Sequence, residues 1–100
     1  MNQETTSTQL TITDPLGLHL RVGKELVILA NGFQAVITAQ NLSRRSPVVD
    51  VKSILQLMQL QARQGHVLEL CAAGPDAPAA LDAVCRLLSA GETAEDIAPL

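Results

Sequence analysis

Hydrophobic positions along this chain switch between a period of two and a period of three to four, and the switches mark its elements. From Thr8 to Thr13 apolar and polar residues alternate. Leu10 and Ile12 fall on one side and Gln9, Thr11 and Thr13 on the other, which predicts a half-buried strand. Pro15 and Gly17 end it. Between Leu20 and Asn31, Val22, Leu26 and Leu29 recur at helical spacing. Val27, Ile28 and Ala30 widen the stripe, while Lys24 and Glu25 face away. Asn31-Gly32 is a helix stop. Phe33 to Gln40 alternates again, placing Phe33, Ala35, Ile37 and Ala39 on one face. A polar loop with Arg44 and Arg45, read as solvated, leads to Val48-Val49, the second half of a hairpin. Pro47 confines that short strand to the sheet edge.

Asp50 and Ser53 can each cap a short helix that carries Ile54, Leu57 and Met58 on one side and ends by Gln64-Gly65. The pattern predicts a fourth strand over His66 to Ala73, with Leu68, Leu70 and Ala72 inward. After Gly74-Pro75, Asp76 is placed to cap the last helix. There Ala77, Leu81, Val84, Cys85 and Leu88 share one face, and Gly91 is the expected stop. The order is βαββαβα. A half-polar sheet of four strands needs one face covered, so the fold class is α/β (α+β), a two-layer open-faced sandwich. On pattern alone, a ferredoxin-like ligand-binding domain is the main competitor. Residues 1–8 are expected to be a flexible N-terminus, 9–91 the domain and 92–100 an acidic tail.

Composition narrows the function classes. One hundred residues, 47% of them hydrophobic, suit a single compact domain. Charged residues make up 17% and the net charge is −3, which disfavours nucleic acid as a partner. Trp and Tyr are absent and Phe33 is the single aromatic, leaving no platform for stacking bases. Cys71 and Cys85 lack metal or redox spacing and read as buried free thiols of a reducing compartment. The opening MNQETTSTQ does not resemble a signal peptide, and no apolar run approaches the ~20 residues of a membrane span. The expected setting is cytoplasmic, with no membrane insertion.

Candidate chemistry gathers in Asp14–Lys24, DPLGLHLRVGK. His19 stands where a turn meets a helix start, and Arg21 follows two residues later. A helix start offers unpaired N–H groups and the positive end of the helix dipole, so it holds an anion. An imidazole there can take a phosphoryl group whose charge is met by those amides and a guanidinium. His66 has no acid or cysteine beside it in sequence and reads as a surface histidine. Ser53 reads as a plain N-cap. The short helix bearing Ile54, Leu55, Leu57, Met58 and Leu60 has more apolar surface than one face can bury, so part of it is expected to form a docking patch. Arg21, Lys24 and Lys52 would add positive charge to that face, with Ile54, Leu57 and Met58 as its apolar contacts.

From about Gln9 to Ala90 the chain resembles the HPr-type phosphocarriers (HPr/NPr-like) of the bacterial phosphoenolpyruvate-dependent phosphotransferase system. The resemblance rests on Gly17-Leu18-His19 with Arg21, on Asn31-Gly32-Phe33 and on Lys52-Ser53-Ile54-Leu55-Gln56-Leu57-Met58. Gly65 and Ala73-Gly74 also fall at the family's spacings. It implies an antiparallel sheet of order 1-4-2-3 with three helices on one face. It implies that His19 accepts a phosphoryl group on Nδ1 from enzyme I and hands it to an enzyme IIA, with Arg21 neutralising the phosphate. Ser53 matches a serine that a regulatory kinase modifies in some lineages, which would add a serine kinase or phosphatase as a partner. No cofactor and no metal are implied, and the expected state is a monomeric phosphoryl carrier, not a stand-alone enzyme. The family normally has proline directly after the arginine; here Val22-Gly23 stands instead. A regulatory module on the same fold, acting through protein contacts with little phosphoryl flux, is the second reading.

Overall fold

The computed structural model describes residues 5–97. The elements are β1 (Thr5–Thr11), α1 (Leu20–Asn31), β2 (Val36–Asn41), β3 (Val49–Asp50), α2 (Ile54–Met58), β4 (Val67–Ala73) and α3 (Ala77–Ile97). The four strands form one sheet in the order β1-β4-β2-β3, and the paired strands are antiparallel. This is the βαββαβα open-faced sandwich expected from the pattern, and its order 1-4-2-3 is the one the family resemblance implies.

Register explains the two faces. One row runs Thr8, Leu70, Ala39, Val49 and the next Ser7, Cys71, Thr38, Asp50. The first row faces the helices, where Leu68, Leu70, Ala72, Ile37 and Ala39 are buried with Leu26, Leu57, Leu60 and Val84. A fully buried leucine contributes about 1.5–3 kcal/mol through area removed from water. The other row leaves a bare surface of small polar side chains.

Several boundaries differ from the pattern reading. β1 begins at Thr5 instead of Thr8, because β4 is long enough to pair Thr5 with Ala73 and Ser7 with Cys71. Residues 5–8 are thus strand, not a frayed end; residues 1–4 lie outside the described residues. β2 starts at Val36, since the chain bends from Gly32 through Ala35; Phe33 still packs against the core from that bend. Ile28 is 75% exposed, because the buried face of α1 is centred on Gly23, Leu26 and Ala30. Cys71 lies on the bare face of the sheet and is only half-buried, as is Cys85 on α3.

Asp76 does not cap α3 with its side chain. Its carboxylate instead accepts the backbone N–H groups of Gln34 (2.9 Å) and Ala35 (2.8 Å), tying the start of α3 to the corner before β2. Gly74, at φ +147°, lets these corners meet, since a Cβ there would lie 2.8 Å from Ala35 Cα. Gly91 does not stop α3, which runs to Ile97. Glycine costs only about 1 kcal/mol against alanine within a helix, and Glu92, Ala94 and Glu95 after it are good helix formers. Residues 98–100 of the expected tail lie outside the described residues.

Candidate functional site

The loop between β1 and α1 is shaped by its own sequence. Asp14 Oδ1 accepts the Leu16 N–H at 2.8 Å and the Asp14 carbonyl accepts the Gly17 N–H at 2.8 Å, an Asx turn stacked on a β-turn. Gly17 has φ +69°, and a Cβ on it would stand 2.5 Å from the Ala62 carbonyl oxygen. That same oxygen accepts the Leu18 N–H at 2.9 Å. Only glycine fits between the turn and the α2–β4 connection.

His19 follows as the N-cap of α1, with extended backbone (φ −89°, ψ 171°) and no capping bond from its side chain. Its carbonyl accepts the Gly23 N–H at 2.9 Å, the first bond of the helix. The N–H groups of Leu20, Arg21 and Val22 therefore remain unpaired at the helix start. The His19 side chain is 29% exposed, and its Nε2 lies 3.6 Å from Asp14 Oδ2. Nδ1 has no partner among the described residues. Arg21 is exposed and its side chain makes no hydrogen bond or ion pair to any described residue, so its guanidinium is free to swing toward an anion. Together these groups can receive an anion in the open and release it again.

Arg21, Lys24, Glu25, Leu20 and Ile28 line a shallow groove on the outer face of α1, with apolar floor and charged rim. Leu16, 75% exposed, adds to the apolar surface of the neighbouring loop. The expected docking patch is only partly of this kind. Leu57 is 1% exposed and belongs to the core, as does Leu60, so neither is free to touch a partner. Leu55 is the exposed apolar residue of α2, while Ile54 and Met58 are half-buried. Met58 and Ile54 press on Gly23, where a Cβ would meet Met58 Cε at 2.5 Å and Ile54 Cδ1 at 3.4 Å. Gly23 is therefore the contact point of α1 with α2.

Lys52 is also placed differently from its expectation. Its Nζ donates to the Phe33 carbonyl at 2.7 Å, beyond the C-terminus of α1. A helix of 12 residues spans about 18 Å, so this charge stands at the far end from His19. Asn31 Nδ2 donates to the Lys52 carbonyl at 3.3 Å in the same corner. Ser53 caps α2, its Oγ accepting the Gln56 N–H at 3.3 Å, while Asp50 takes the Lys52 N–H at 2.9 Å and leaves the cap to Ser53.

Two features were missed from sequence. Asp14 reads as a turn residue, and nothing in its spacing places its carboxylate against the imidazole. His66 is half-buried, not a bare surface group. Its Nδ1 accepts the Arg63 N–H at 3.1 Å and lies 3.0 Å from Nδ2 of Asn41. Asn41 is fully buried, donates to the Leu60 carbonyl at 3.0 Å and accepts the Ser43 and Arg44 N–H groups. A polar residue at an inward strand position, as Asn41 is, was the signal available.

Known proteins match this arrangement. The family described as the PTS HPr component phosphorylation site matches residues 6–90. The phosphocarrier protein NPr of Shewanella violacea is 40% identical over 82 residues, covering 82% of this chain and 87% of that protein. The phosphocarrier protein HPr of Cupriavidus necator is 38% identical over 79 residues, 79% of this chain and 85% of the other. The multiphosphoryl transfer protein of Haemophilus influenzae is 38% identical over 81 residues, which are 81% of this chain but 16% of that longer protein. Among solved structures, the histidine-containing phosphocarrier protein of Mycoplasma superposes with a TM-score of 0.79 at 27% identity, covering 86% of this chain and 94% of the other. HPr-C-His of Thermoanaerobacter tengcongensis gives 0.77 at 30% identity, covering 84% and 91%. The chain therefore belongs to the HPr/NPr family of phosphocarriers of the phosphotransferase system. Its partners are, in general terms, proteins of that system. Among the described residues no helix is long and apolar enough to cross a membrane.

Proposed function

We propose that His19 is the phosphoryl acceptor, taking the group on Nδ1 from enzyme I and passing it to an enzyme IIA. The observation that carries this reading is the position of His19 as the residue that opens α1, with Nδ1 unpartnered among the described residues and with three spare N–H groups and the free Arg21 in the same first turn. Amides and the guanidinium hold the phosphate by charge and hydrogen bonds. A carrier has to give the group away, and a half-exposed ring supports release where a deep dry pocket would trap the group. The docking surface is the face of α1 with Leu20, Arg21, Lys24 and Ile28, joined by Leu16, Leu55 and the half-buried Ile54 and Met58. Its rim, where Arg21 and Lys24 outweigh Glu25, is net positive on a chain of net charge −3 and suits a partner with an acidic edge around an apolar centre. Ser53, at the start of α2, is the candidate site for regulatory phosphorylation. Incubation with enzyme I and phosphoenolpyruvate, followed by intact mass, tests the acceptor. The expected result is a gain of one acid-labile phosphate that His19→Ala abolishes. Labelling that survives His19→Ala would overturn the assignment.

A further inference from the structure

We propose that Asp14 is a positioning residue for the acceptor ring. Its carboxylate holds the Nε2–H of His19, which keeps the lone pair on Nδ1 and offsets the positive charge the ring acquires when Nδ1 is bonded to phosphorus. The inference rests on the reading of His19 as acceptor and adds to it the residue that chooses which nitrogen reacts.

The Asp14 carboxylate is fixed independently of the histidine. One oxygen, Oδ1, is committed to the Leu16 N–H at 2.8 Å, and the Asp14 carbonyl is committed to the Gly17 N–H at 2.8 Å. Pro15 follows directly and Gly17 is wedged against the Ala62 carbonyl, so the turn has little freedom to move the side chain away. The second oxygen, Oδ2, is left pointing at the ring, 3.6 Å from Nε2, with both side chains 29% exposed. That is ion-pair range, and a shift of a few tenths of an ångström turns it into a hydrogen bond. An Asx turn needs one acceptor oxygen and no charge. The extra oxygen and its negative charge are not explained by the turn; the imidazole is the group they face.

The chemistry follows from which nitrogen holds the proton. A neutral imidazole has one N–H and one lone pair, and the partner of one nitrogen sets the role of the other. A carboxylate accepts only, so Nε2 carries the hydrogen and Nδ1 the lone pair. In transfer, that lone pair forms the Nδ1–P bond as the donor's bond to phosphorus breaks, and the donor leaves with the electron pair. The ring keeps its Nε2–H and becomes cationic, with the charge shared between the two nitrogens. In onward transfer the Nδ1–P bond breaks and the pair returns to Nδ1. No proton has to leave the ring at either step. The other tautomer would first have to surrender the hydrogen on Nδ1. Asp14 thus favours the reactive tautomer before transfer and the cationic ring, the better leaving group, after it.

Two variants separate this role from the turn. In Asp14→Ser the hydroxyl still accepts the Leu16 N–H, but nothing faces Nε2. In Asp14→Asn the amide oxygen is taken by the Leu16 N–H, so the NH2 group is presented to Nε2 and favours the wrong tautomer. The measurement is the 15N shift pattern of the His19 ring in unphosphorylated protein at about pH 9, where imidazoles are neutral. Wild type should show a protonated Nε2 and a bare Nδ1. Asp14→Ser should move toward a mixture, and Asp14→Asn should move further, toward a protonated Nδ1. Phosphorylation of His19 by enzyme I should slow by roughly fivefold in Asp14→Ser, and by more in Asp14→Asn, while both variants keep the wild-type fold by amide spectra. The same ring pattern in all three proteins overturns the proposal. Wild-type protein that shows the predicted tautomer but takes no phosphate would sink the acceptor reading instead, so the two failures are distinct.

Discussion

The terminal methyl of Met58 occupies the space that a side chain on Gly23 would need, with Cε 2.5 Å from the position of a Cβ. The two helices α1 and α2 are in register at that point, and Ile54 and Leu57 close around it. Gly23→Val should destabilise the protein by about 1–3 kcal/mol in urea unfolding, the usual cost of overfilling a packed site. The same change in a Met58→Ala background should cost clearly less, because the clash is removed. Additive costs would show that the glycine serves some purpose other than clearance for Met58.

The first turn of α1 leaves the Val22 N–H without an acceptor, so a proline there loses no hydrogen bond. Val22→Pro should stabilise the domain by a few tenths to about 1 kcal/mol through the unfolded chain. Thermal or urea unfolding reads this directly. A loss of stability would mean that the Val22 side chain, which lines a small cavity together with Leu10, Leu18, Leu87 and Leu88, packs better than a proline ring can.

His66 and His19 should separate cleanly when each is truncated. His66→Ala leaves phosphate uptake intact but removes the acceptor of the Arg63 N–H and the partner of Asn41 Nδ2. The expected cost is about 1–2 kcal/mol of stability. An unchanged unfolding midpoint would mean that water replaces the ring at no cost.

The N–H of Gln34 in the first place holds the Asp76 carboxyl below the usual carboxylate range, against the opposing effect of burial; the Ala35 N–H and the charge of Lys52 add to the lowering. A carboxylate with a depressed folded pKa stabilises the protein above its unfolded pKa, and that stability fades as pH falls through the folded value. Stability should therefore drop as pH is lowered below about 4. Asp76→Asn should flatten that part of the profile while lowering stability at neutral pH. A variant with the wild-type acid slope would rule Asp76 out as its source.

Ser53 is expected to act on two equilibria. As the cap of α2 it accepts the Gln56 N–H, a role an aspartate fills equally well. Ser53→Asp should leave the melting temperature unchanged or higher. It should also slow phosphorylation of His19 by enzyme I, because the added charge repels an acidic partner rim. Transfer kinetics equal to wild type at low salt, where screening is weakest, would confine Ser53 to capping.

Much of this molecule was legible in its periodicity. Leu68, Leu70 and Ala72 alternate and are buried; Leu20–Asn31 matches its helix residue for residue. Three of the differences share one physical cause. Asp76, Lys52 and Asp14 all look from sequence like local caps or surface charges, and each finds its partner across space: the Gln34 and Ala35 amides, the Phe33 carbonyl, the His19 ring. Leu57 failed for a related reason. Spacing shows which residues share a face of a five-residue helix, but which of them the sheet covers depends on how that helix is tilted. α3 runs past Gly91 because a glycine inside a helix is only a modest cost, not a stop.

The seam between residues 12–18 and 62–66 has a consequence for how the proposed acceptor, His19, is aimed. Ile12 N–H reaches the His66 carbonyl, Gly65 N–H reaches the Ile12 carbonyl, and Leu18 N–H reaches the Ala62 carbonyl, each at 2.7–2.9 Å. The loop carrying His19 is therefore held from outside by a segment that contributes no atom to the chemistry. A change at Ala62 or Arg63 that shifts this seam would tilt the ring against a docked donor while leaving every reacting group in place. Its signature is a transfer rate that falls with the unfolding midpoint untouched: an error of aim, read only when two proteins have to bring one phosphorus atom between them.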